Sequence, residues 1–177
     1  CGGLPGTLIG LGDTLGMSQQ EIAKGMLAAG LVGVFVAQHS TFAAEVCGCQ
    51  AECGAGSGMT AAGLTAMMGG SPQQCMDAAA MALQNVFGMV CDPVAGRVEV
   101  PCLGKNILAG MNALAMANLA LAGFDKVVDL DQTIKALDQV GKMLPPELRC
   151  TGRAGLSTTP AALEIQKKLE QAPCAGC

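Results

Sequence analysis

The feature that most constrains the fold is a series of helix-start signals, each followed by an apolar stretch. Ser18-Gln-Gln-Glu21 is a capping box, which predicts a helix through the apolar stretch Ile22 to Val36. Ser71-Pro72 places an N-cap residue before a proline at the first helical position, and predicts a helix that continues through Phe87. These signals favour a chain of helices separated by tight turns.

The remaining segments also have helical periodicity, and no segment alternates convincingly with a period of two. Two further helices are predicted to end at glycine: Met59 to Met68 before Gly69-Gly70, and Lys105 to Leu121 before Gly123. A third is capped by Asp131 and carries Ile134, Leu137 and Val140 at helical spacing. A fourth is capped by Thr159-Pro160 and ends before Pro173. We therefore expect an all-α fold. It should be a compact bundle of about six to eight mostly buried helices, with glycine-rich loops between them.

The length and composition predict one domain that needs a partner. The chain has 177 residues, enough for a single core, so residues 1–177 are expected to form one helical domain with a flexible cysteine-containing tail at 172–177. Hydrophobic residues make up 51% and charged residues 14%. Because so few charges cannot easily coat a lone globule, we expect an oligomer or an obligate partner. A start at Cys1 suggests a portion of a longer polypeptide that lacks its N-terminal part.

Charge and hydropathy argue against two classes of function. The net charge is −4 and no basic cluster is present, which argues against nucleic-acid binding. The two longest apolar stretches, Ile22 to Ala37 and Ile107 to Ala122, are shorter than the roughly 20 residues that span a membrane, and both contain polar side chains. They are predicted to be core helices. With no signal peptide visible, we expect a cytoplasmic protein.

The cysteines offer the clearest indication of chemistry. Cys49, Cys91 and Cys102 stand in Gly-Cys-Gln, Cys-Asp-Pro-Val and Val-Pro-Cys contexts. Thiolates hold iron–sulfur clusters, and the neighbouring glycine and proline let the backbone turn its amides toward sulfur. Because the three residues are far apart in the sequence, no local ferredoxin-type run is present. A cluster would be a tertiary site built from separate loops.

The ten cysteines could also form disulfides, bind zinc or pack in the core. Disulfides are disfavoured, because small disulfide scaffolds rarely carry long apolar helices. Zinc competes with iron, since Cys47-Gly-Cys49 and Cys174-Ala-Gly-Cys177 are short cysteine pairs. Cys75 is predicted to be a small core residue. Spacing alone leaves iron and zinc equally open.

Several segments in order along the chain resemble the α subunit of the iron–sulfur-dependent L-serine dehydratases. They are Cys49 to Met59, Gly69 to Gln74, Cys91 to Cys102, Leu103 to Asn106 and Thr151 to Pro160. The resemblance covers nearly the whole chain, and its Cys-Asp-Pro to Pro-Cys element is highly specific. It implies a lyase of amino-acid degradation, with links to gluconeogenesis, that converts L-serine to pyruvate and ammonia.

The resemblance also implies a cofactor and its ligands. A 4Fe-4S cluster would be held by Cys49, Cys91 and Cys102, and one iron would lack a permanent thiolate. That iron would activate the serine hydroxyl as a Lewis acid, would make the enzyme oxygen-sensitive, and could be covered by Cys177 until substrate displaces it. No pyridoxal phosphate is expected, because no pyridoxal signature surrounds Lys105.

Further polar residues in the matched segments are candidates for substrate or cluster contacts. Lys105 and Asn106 could reach the substrate carboxylate or a cluster sulfur, or could face solvent at a helix start. Arg153 could clamp the carboxylate, or form a surface ion pair. Gln50 and Glu52 could support the ligands, with a helix-terminal charge as the alternative for Glu52.

The partners and specificity stay open at this point. Many relatives carry Asn at the position of His39, the lone histidine, which argues against a general-base role for it. Relatives also use a β subunit or β domain, so we expect such a partner and a homo-oligomer. Alternatives to serine chemistry are a lyase for L-cysteine or L-threonine, and a non-catalytic metal scaffold.

Overall fold

The computed structural model describes residues 2–171, and these form eight α-helices and no strand. The helices are α1 (Gly3–Thr14), α2 (Gln19–His39), α3 (Ala44–Cys47), α4 (Ala55–Met67), α5 (Pro72–Gln84), α6 (Cys102–Leu121), α7 (Leu130–Met143) and α8 (Pro160–Gln171). This confirms the all-α prediction. The predicted tail at 172–177 lies outside the described residues.

Helix α4 is the centre of the bundle. Almost all of its residues are buried, and α1, α2, α5 and α6 pack around it, while α7 packs on α5. Alanine supplies much of the core that these helices share. Because small side chains let helix axes approach closely, this composition suits a tightly packed bundle.

The crossing of α2 and α4 depends on two glycines that face each other. A Cβ atom added at Gly63 would lie 2.9 Å from the Gly25 carbonyl oxygen, and one added at Gly25 would lie 3.0 Å from the Gly63 carbonyl oxygen. Both contacts are with backbone, which cannot rotate away. Glycine is therefore needed at this crossing for steric reasons.

The helix starts agree with most of the sequence signals. Ser18 and Ser71 each form a complete capping box, and Pro72 is the first residue of α5. The Ala162 N–H donates to Thr159 Oγ1 at 3.3 Å at the start of α8. The caps that the sequence analysis assigned to these three helices are thus confirmed.

Three details differ from the prediction. Helix α7 is preceded by Asp129, whereas Asp131 lies in its first turn. Helix α4 begins at Ala55, before Met59, because a π-helical turn over Gln50–Gly54 leads directly into it. Helices α1 and α3 were not predicted at all, since α1 is rich in glycine and α3 has only four residues.

Helix α2 is the one described helix that is long and apolar enough to cross a membrane. Core helices of soluble proteins have the same length and composition, so this is weak evidence. Ala29, Val32 and Val36 are buried in the core. The opposite face carries Leu27, 72% exposed, and Leu31, 66% exposed. Helix α2 therefore buries one apolar face and exposes another.

Candidate metal centre

Cysteine side chains from four separate segments gather beside the start of α4. Within residues 2–171, Cys49 and Cys53 are fully buried at the two ends of the π-helical region, and Cys91 and Cys102 are also buried. Cys49 is close enough to Cys53 and Cys91 to change its pKa, and Cys91 interacts in the same way with the half-buried Cys150. The structure therefore brings the predicted ligands Cys49 and Cys91 together, and adds Cys53 and Cys150 to them.

Cys102 reaches the group from the start of α6. It is the first residue of that helix, and charge on Cys49 contributes to raising its pKa, after the larger effect of burial. Asn106, one turn later, donates from Nδ2 to the Cys102 carbonyl oxygen at 2.9 Å and to Cys53 Sγ at 3.5 Å. The third predicted ligand thus lies at the edge of the same group of sulfurs.

The thiols differ in how easily they ionise. Hydrogen bonds from Cys53 and then from Cys91 lower the pKa of Cys49 to about 3. Their hydrogen bonds to Cys49, together with burial, raise the pKa values of Cys53 and Cys91. The three sulfurs interact so strongly that they ionise as a group, and the thiolate that this group shares is the form that binds metal.

The donor atoms of this group fit a metal centre. The Cys49 and Cys53 sulfurs and a Glu52 carboxylate oxygen all lie within 4.8 Å of one another. Sulfur-rich sites select iron–sulfur clusters or zinc over hard cations such as Mg²⁺. The residues present therefore fit the cluster that the sequence resemblance implies, and they also fit zinc.

Gln50 holds the segment that carries Cys49. Its side chain is fully buried, donates from Nε2 to the Leu137 carbonyl oxygen in α7, and accepts at Oε1 from the Gly88 N–H at 2.8 Å. The Gln50 N–H also donates to the Met89 carbonyl oxygen at 3.1 Å. Gln50 therefore ties the Cys49 segment both to α7 and to the segment that leads to Cys91.

A short backbone pairing places Cys91 beside Cys150. The Cys91 N–H donates to the Leu148 carbonyl oxygen at 2.9 Å, and the Cys150 N–H donates to the Cys91 carbonyl oxygen at 2.9 Å. These two bonds hold the loop around residue 91 against the loop around residue 150. They explain why Cys150 joins the group although it is distant in sequence.

A largely buried ion pair joins the Cys91 loop to α6. Lys105 Nζ lies 2.9 Å from Asp92 Oδ1 and donates to the Val90 carbonyl oxygen at 2.6 Å. Burial opposes the charge on Lys105, but the hydrogen bond and the charge of Asp92 outweigh it, so the pKa of Lys105 is raised. The ammonium is thus held by groups of the chain itself.

The same carboxylate reaches the loop before α8. Asp92 Oδ2 accepts from the Leu156 N–H at 2.9 Å. A Cβ atom at Gly155, which has φ +64°, would lie 2.6 Å from Asp92 Oδ2. We call the set Asp92, Lys105 and Leu156 the Asp92 junction, because it connects three segments next to the cysteines.

The other predicted site residues lie at varied distances from the group. Asn106 Oδ1 accepts from the Gly3 N–H at 3.0 Å, so Asn106 links α6 to α1 beside Cys53. Arg153 is exposed in the loop before Gly155, and His39 is exposed at the end of α2, where it stacks on Phe35. Cys177 lies outside the described residues.

A cavity of about 690 Å³ opens beside the cysteines. Its polar lining residues are Glu52, Glu99, Asn106 and Thr7, and its other lining residues are Cys102, Val98, Leu103, Ile107 and the glycines Gly2, Gly3 and Gly6. No Lys, Arg or His of the described chain lines it. A small polar molecule could therefore lie next to Cys102. The lining offers negative but no positive side chains.

Sequence reasoning missed Cys53 and Cys150 as members of the group. For Cys53 a signal existed, since it lies four positions after Cys49 and one helical turn brings such positions together. For Cys150 no local signal exists, because only the backbone pairing with Cys91 brings it near. Cys75, predicted to be a core residue, packs half-buried against the core away from this group.

Comparison with known proteins gives a consistent family. The chain matches the family model for the serine dehydratase alpha chain over residues 1–157. It is 40% identical over 168 residues to a probable L-serine dehydratase, alpha chain, of Bacillus subtilis, covering 95% of this chain and 56% of the relative. It is 37% identical over 164 residues to the L-serine dehydratase, alpha chain, of Peptoniphilus asaccharolyticus, covering 93% of this chain and 56% of that protein.

A more distant relative shows the same relationship. L-serine dehydratase 1 of Escherichia coli is 37% identical over 132 residues, which cover 74% of this chain and 29% of that protein. The chain spans little more than half the length of the Bacillus and Peptoniphilus relatives. From the family match and these identities, the chain belongs to the serine dehydratase alpha chain family.

Proposed function

We propose that this chain carries the iron–sulfur centre of an enzyme that converts L-serine to pyruvate and ammonia. The proposal is supported by the burial of Cys49, Cys91 and Cys102, the last of which lines a cavity, in a chain of the serine dehydratase alpha chain family. The relatives are named L-serine dehydratases, which supports serine as the substrate.

The three cysteines would hold a 4Fe-4S cluster, with no pyridoxal phosphate involved. When bound, such a cluster with one iron free of protein thiolate supplies a Lewis acid for departure of the serine hydroxyl. Loss of water followed by hydrolysis then gives pyruvate and ammonia. A zinc site would lack the reactive iron of such a cluster. The identity of the bound metal therefore distinguishes a serine dehydratase from a non-catalytic metal scaffold.

The chain's own residues position the ligands. Gln50 fixes the Cys49 segment, and the Asp92 junction fixes the Cys91 loop relative to the start of α6. Because Lys105 is already held by Asp92, we assign it a positioning role and not direct contact with substrate. Asn106 lines the cavity and can present its amide there. Arg153 as a carboxylate clamp stays a prediction, since it is not among the residues that line the cavity.

Cys177 is proposed as a displaceable ligand of the open iron. Its support is the sequence resemblance, because residues 172–177 lie outside the described structure. Cys177→Ser should abolish the part of the substrate-dependent spectral change that comes from thiolate displacement. An unchanged spectral response in that variant would contradict the idea.

The assembly is proposed to include a β subunit or β domain and further copies of the chain. The alpha chain names of the relatives support a β partner, and the exposed apolar face of α2 offers surface for association. We also propose that the enzyme is cytoplasmic and sensitive to oxygen. Oxidation of a cluster with an exposed iron would release that iron.

The direct test measures metal and product in the same preparation. The full-length protein, purified without oxygen and together with its β partner, should contain about four irons per chain, as a 4Fe-4S cluster requires. It should release pyruvate from L-serine. Cys49→Ser, Cys91→Ser and Cys102→Ser should each lower the iron content and the pyruvate release.

Cys75→Ser is the matched control, because Cys75 is a half-buried free cysteine away from the group. It should retain both iron and activity. Zinc without iron in the unmodified protein would contradict the proposal and favour a scaffold. The protein could instead contain iron and release product from L-cysteine or L-threonine but not from L-serine. That result would identify it as a lyase for another amino acid.

A further inference from the structure

Glu52 is a half-buried carboxylate without a positively charged partner. No Lys, Arg or His among residues 2–171 forms an ion pair with it, and no donor there hydrogen-bonds to its carboxylate. Lys105 is held in an ion pair by Asp92. Because partly burying a charge costs free energy unless it is compensated, an uncompensated carboxylate facing a cavity indicates a cationic ligand.

Among residues 2–171, no Lys, Arg or His lines either of two cavities that Glu52 borders. One is the cavity beside Cys102 described above. The other, of about 230 Å³, is bounded by apolar side chains such as Leu4, Phe42 and Met59. The described chain therefore leaves Glu52 to be neutralised by something that enters from solvent.

The position of Glu52 limits what that ligand can be. A Glu52 carboxylate oxygen lies within 4.8 Å of the sulfurs of Cys49 and Cys53. A ligand bound to Glu52 therefore also lies beside the proposed cluster. A small molecule with an ammonium near a hydroxyl, as in an α-amino-β-hydroxy acid, matches this arrangement.

The second carboxylate of the cavity is already paired. Glu99 is exposed, and its Oε1 lies 2.6 Å from Arg97 Nη2. Its charge is compensated by the chain itself, at the rim of the cavity. Of the two acidic side chains that line this cavity within residues 2–171, Glu52 is the one without an ion-pair partner.

We infer that Glu52 binds the α-ammonium of the substrate and thereby selects amino acids over hydroxy acids; this rests on the proposed function. Ammonium and carboxylate form charge-assisted hydrogen bonds, which are among the stronger polar contacts in proteins. A ligand with a hydroxyl at that position would leave the carboxylate uncompensated. The site should therefore reject such a ligand, although its carbon skeleton is the same.

The test compares L-serine with L-glycerate, in which a hydroxyl replaces the ammonium. Binding of each is measured by anaerobic calorimetric titration of the iron-loaded, full-length enzyme with its β partner. Glu52→Gln should weaken L-serine binding about 10- to 100-fold, the usual size of a lost charge-assisted contact. L-glycerate binding should stay the same or become tighter, so that the preference for serine collapses.

Two further variants and one measurement isolate the effect. Glu99→Gln removes the same charge from the rim of the same cavity, and should leave both affinities unchanged. Glu52→Asp keeps the charge and should recover part of the preference for serine. Iron content is measured for each variant, and should equal that of the unmodified enzyme.

Three outcomes would overturn the inference. In the first, Glu52→Gln weakens the binding of L-serine and L-glycerate equally. In the second, this variant prefers L-serine as strongly as the unmodified enzyme does. In the third, the variant loses iron, which would make Glu52 a metal ligand. Failure of the proposed function would look different, because the unmodified enzyme would then lack iron or fail to bind L-serine.

Discussion

At the scale of single residues, the site is held by polar side chains whose charges and hydrogen bonds are satisfied inside the protein. Gln50 connects the Cys49 segment to α7 and to the Gly88 backbone, and Lys105 compensates Asp92 in the junction near Cys91. Each of these contacts joins segments that carry different cysteines. The ligand geometry therefore depends on side chains that need not touch metal or substrate.

Lys105→Met should destabilise the protein strongly. The side chains of Lys105 and Asp92 are only 17% and 8% exposed. Removing one partner of such a pair strands the other charge and costs about 3 kcal/mol. The measurement is the free energy of unfolding in denaturant. Asp92→Asn added to Lys105→Met should recover part of the loss, because it removes the stranded charge.

Lys168→Met is the matched control for Lys105→Met. Lys168 pairs with Glu164 on the surface, where both side chains are about 70% exposed, and such pairs contribute at most about 1 kcal/mol. Equal losses for the two lysine variants would contradict the positioning role of Lys105. So would a Lys105→Met protein of normal stability that no longer binds serine, since that result would indicate direct contact with substrate.

Gln50→Leu should also destabilise the protein, although leucine is similar in size. The substitution removes the hydrogen bonds to the Leu137 carbonyl and from the Gly88 N–H, and each hydrogen bond of this kind contributes roughly 1 kcal/mol. Gln73→Leu, at an exposed position of α5, should change the free energy of unfolding by less than about 0.5 kcal/mol. A Gln50→Leu protein as stable as Gln73→Leu would show that these bonds are dispensable.

For single residues, the sequence indicated which cysteines lie close together, but it did not indicate the hydrogen bonds that hold their segments in place. Cys49 lies near Cys91, with Cys102 at the edge of the group, and their role as metal ligands stays a prediction. The role of Gln50 could be predicted only in general terms, because its partners come from α7 and from the Cys91 loop. Long-range hydrogen bonds of this kind leave no pattern in the local sequence.

At the scale of helices, caps and glycines decide the arrangement. The capping boxes at Ser18 and Ser71 made the starts of α2 and α5 predictable, because a cap uses residues within one turn. Helix α1 has no side-chain cap and was not predicted. Its position against α4 and α6 depends on tertiary packing, which local signals do not describe.

Gly63→Ala and Gly30→Ala should have opposite effects on stability. At Gly63 the new methyl group would lie 2.9 Å from the Gly25 carbonyl oxygen, so α2 and α4 must move apart. Overpacking of this kind costs about 1–3 kcal/mol. At Gly30, also within a helix, the methyl group meets nothing within 4 Å. There alanine should stabilise the helix by up to about 1 kcal/mol.

Thermal and denaturant unfolding of the two glycine variants would check this expectation. The comparison removes the general preference of helices for alanine, which both substitutions share. If both variants were stabilised alike, the close approach of α2 and α4 at Gly63 would be wrong.

At the scale of the whole molecule, the apolar composition is only partly explained by the core. The outer face of α2 exposes Leu27, Leu31 and Val34, at 72%, 66% and 61%. A cavity of about 480 Å³ lies along this helix and reaches Pro72 and Met76 of α5. An exposed apolar surface of this kind is typical of protein contacts. The low charge content of the sequence predicts that the chain needs a partner, but composition alone does not identify which helix would contact that partner.

The double variant Leu27→Glu/Leu31→Glu should reduce self-association of the chain. Two charges on the outer face of α2 would oppose apolar contacts there and leave the buried face of the helix unchanged. Molar mass measured by light scattering after size-exclusion chromatography is the readout. Met143→Glu is the control, because Met143 is 81% exposed at the end of α7. If both proteins kept the same molar mass, this face would not mediate association.

The hydrogen bonds of Gln50 and the Asp92 junction have a consequence for the chain without bound metal. They join the ligand segments through backbone and through oxygen and nitrogen side-chain atoms, and none of them uses a cysteine sulfur. If the proposed metal were lost, we therefore expect the ligand segments to stay in place, unlike in a zinc finger, which unfolds when its metal leaves. The metal could then be bound again by a chain that is still folded.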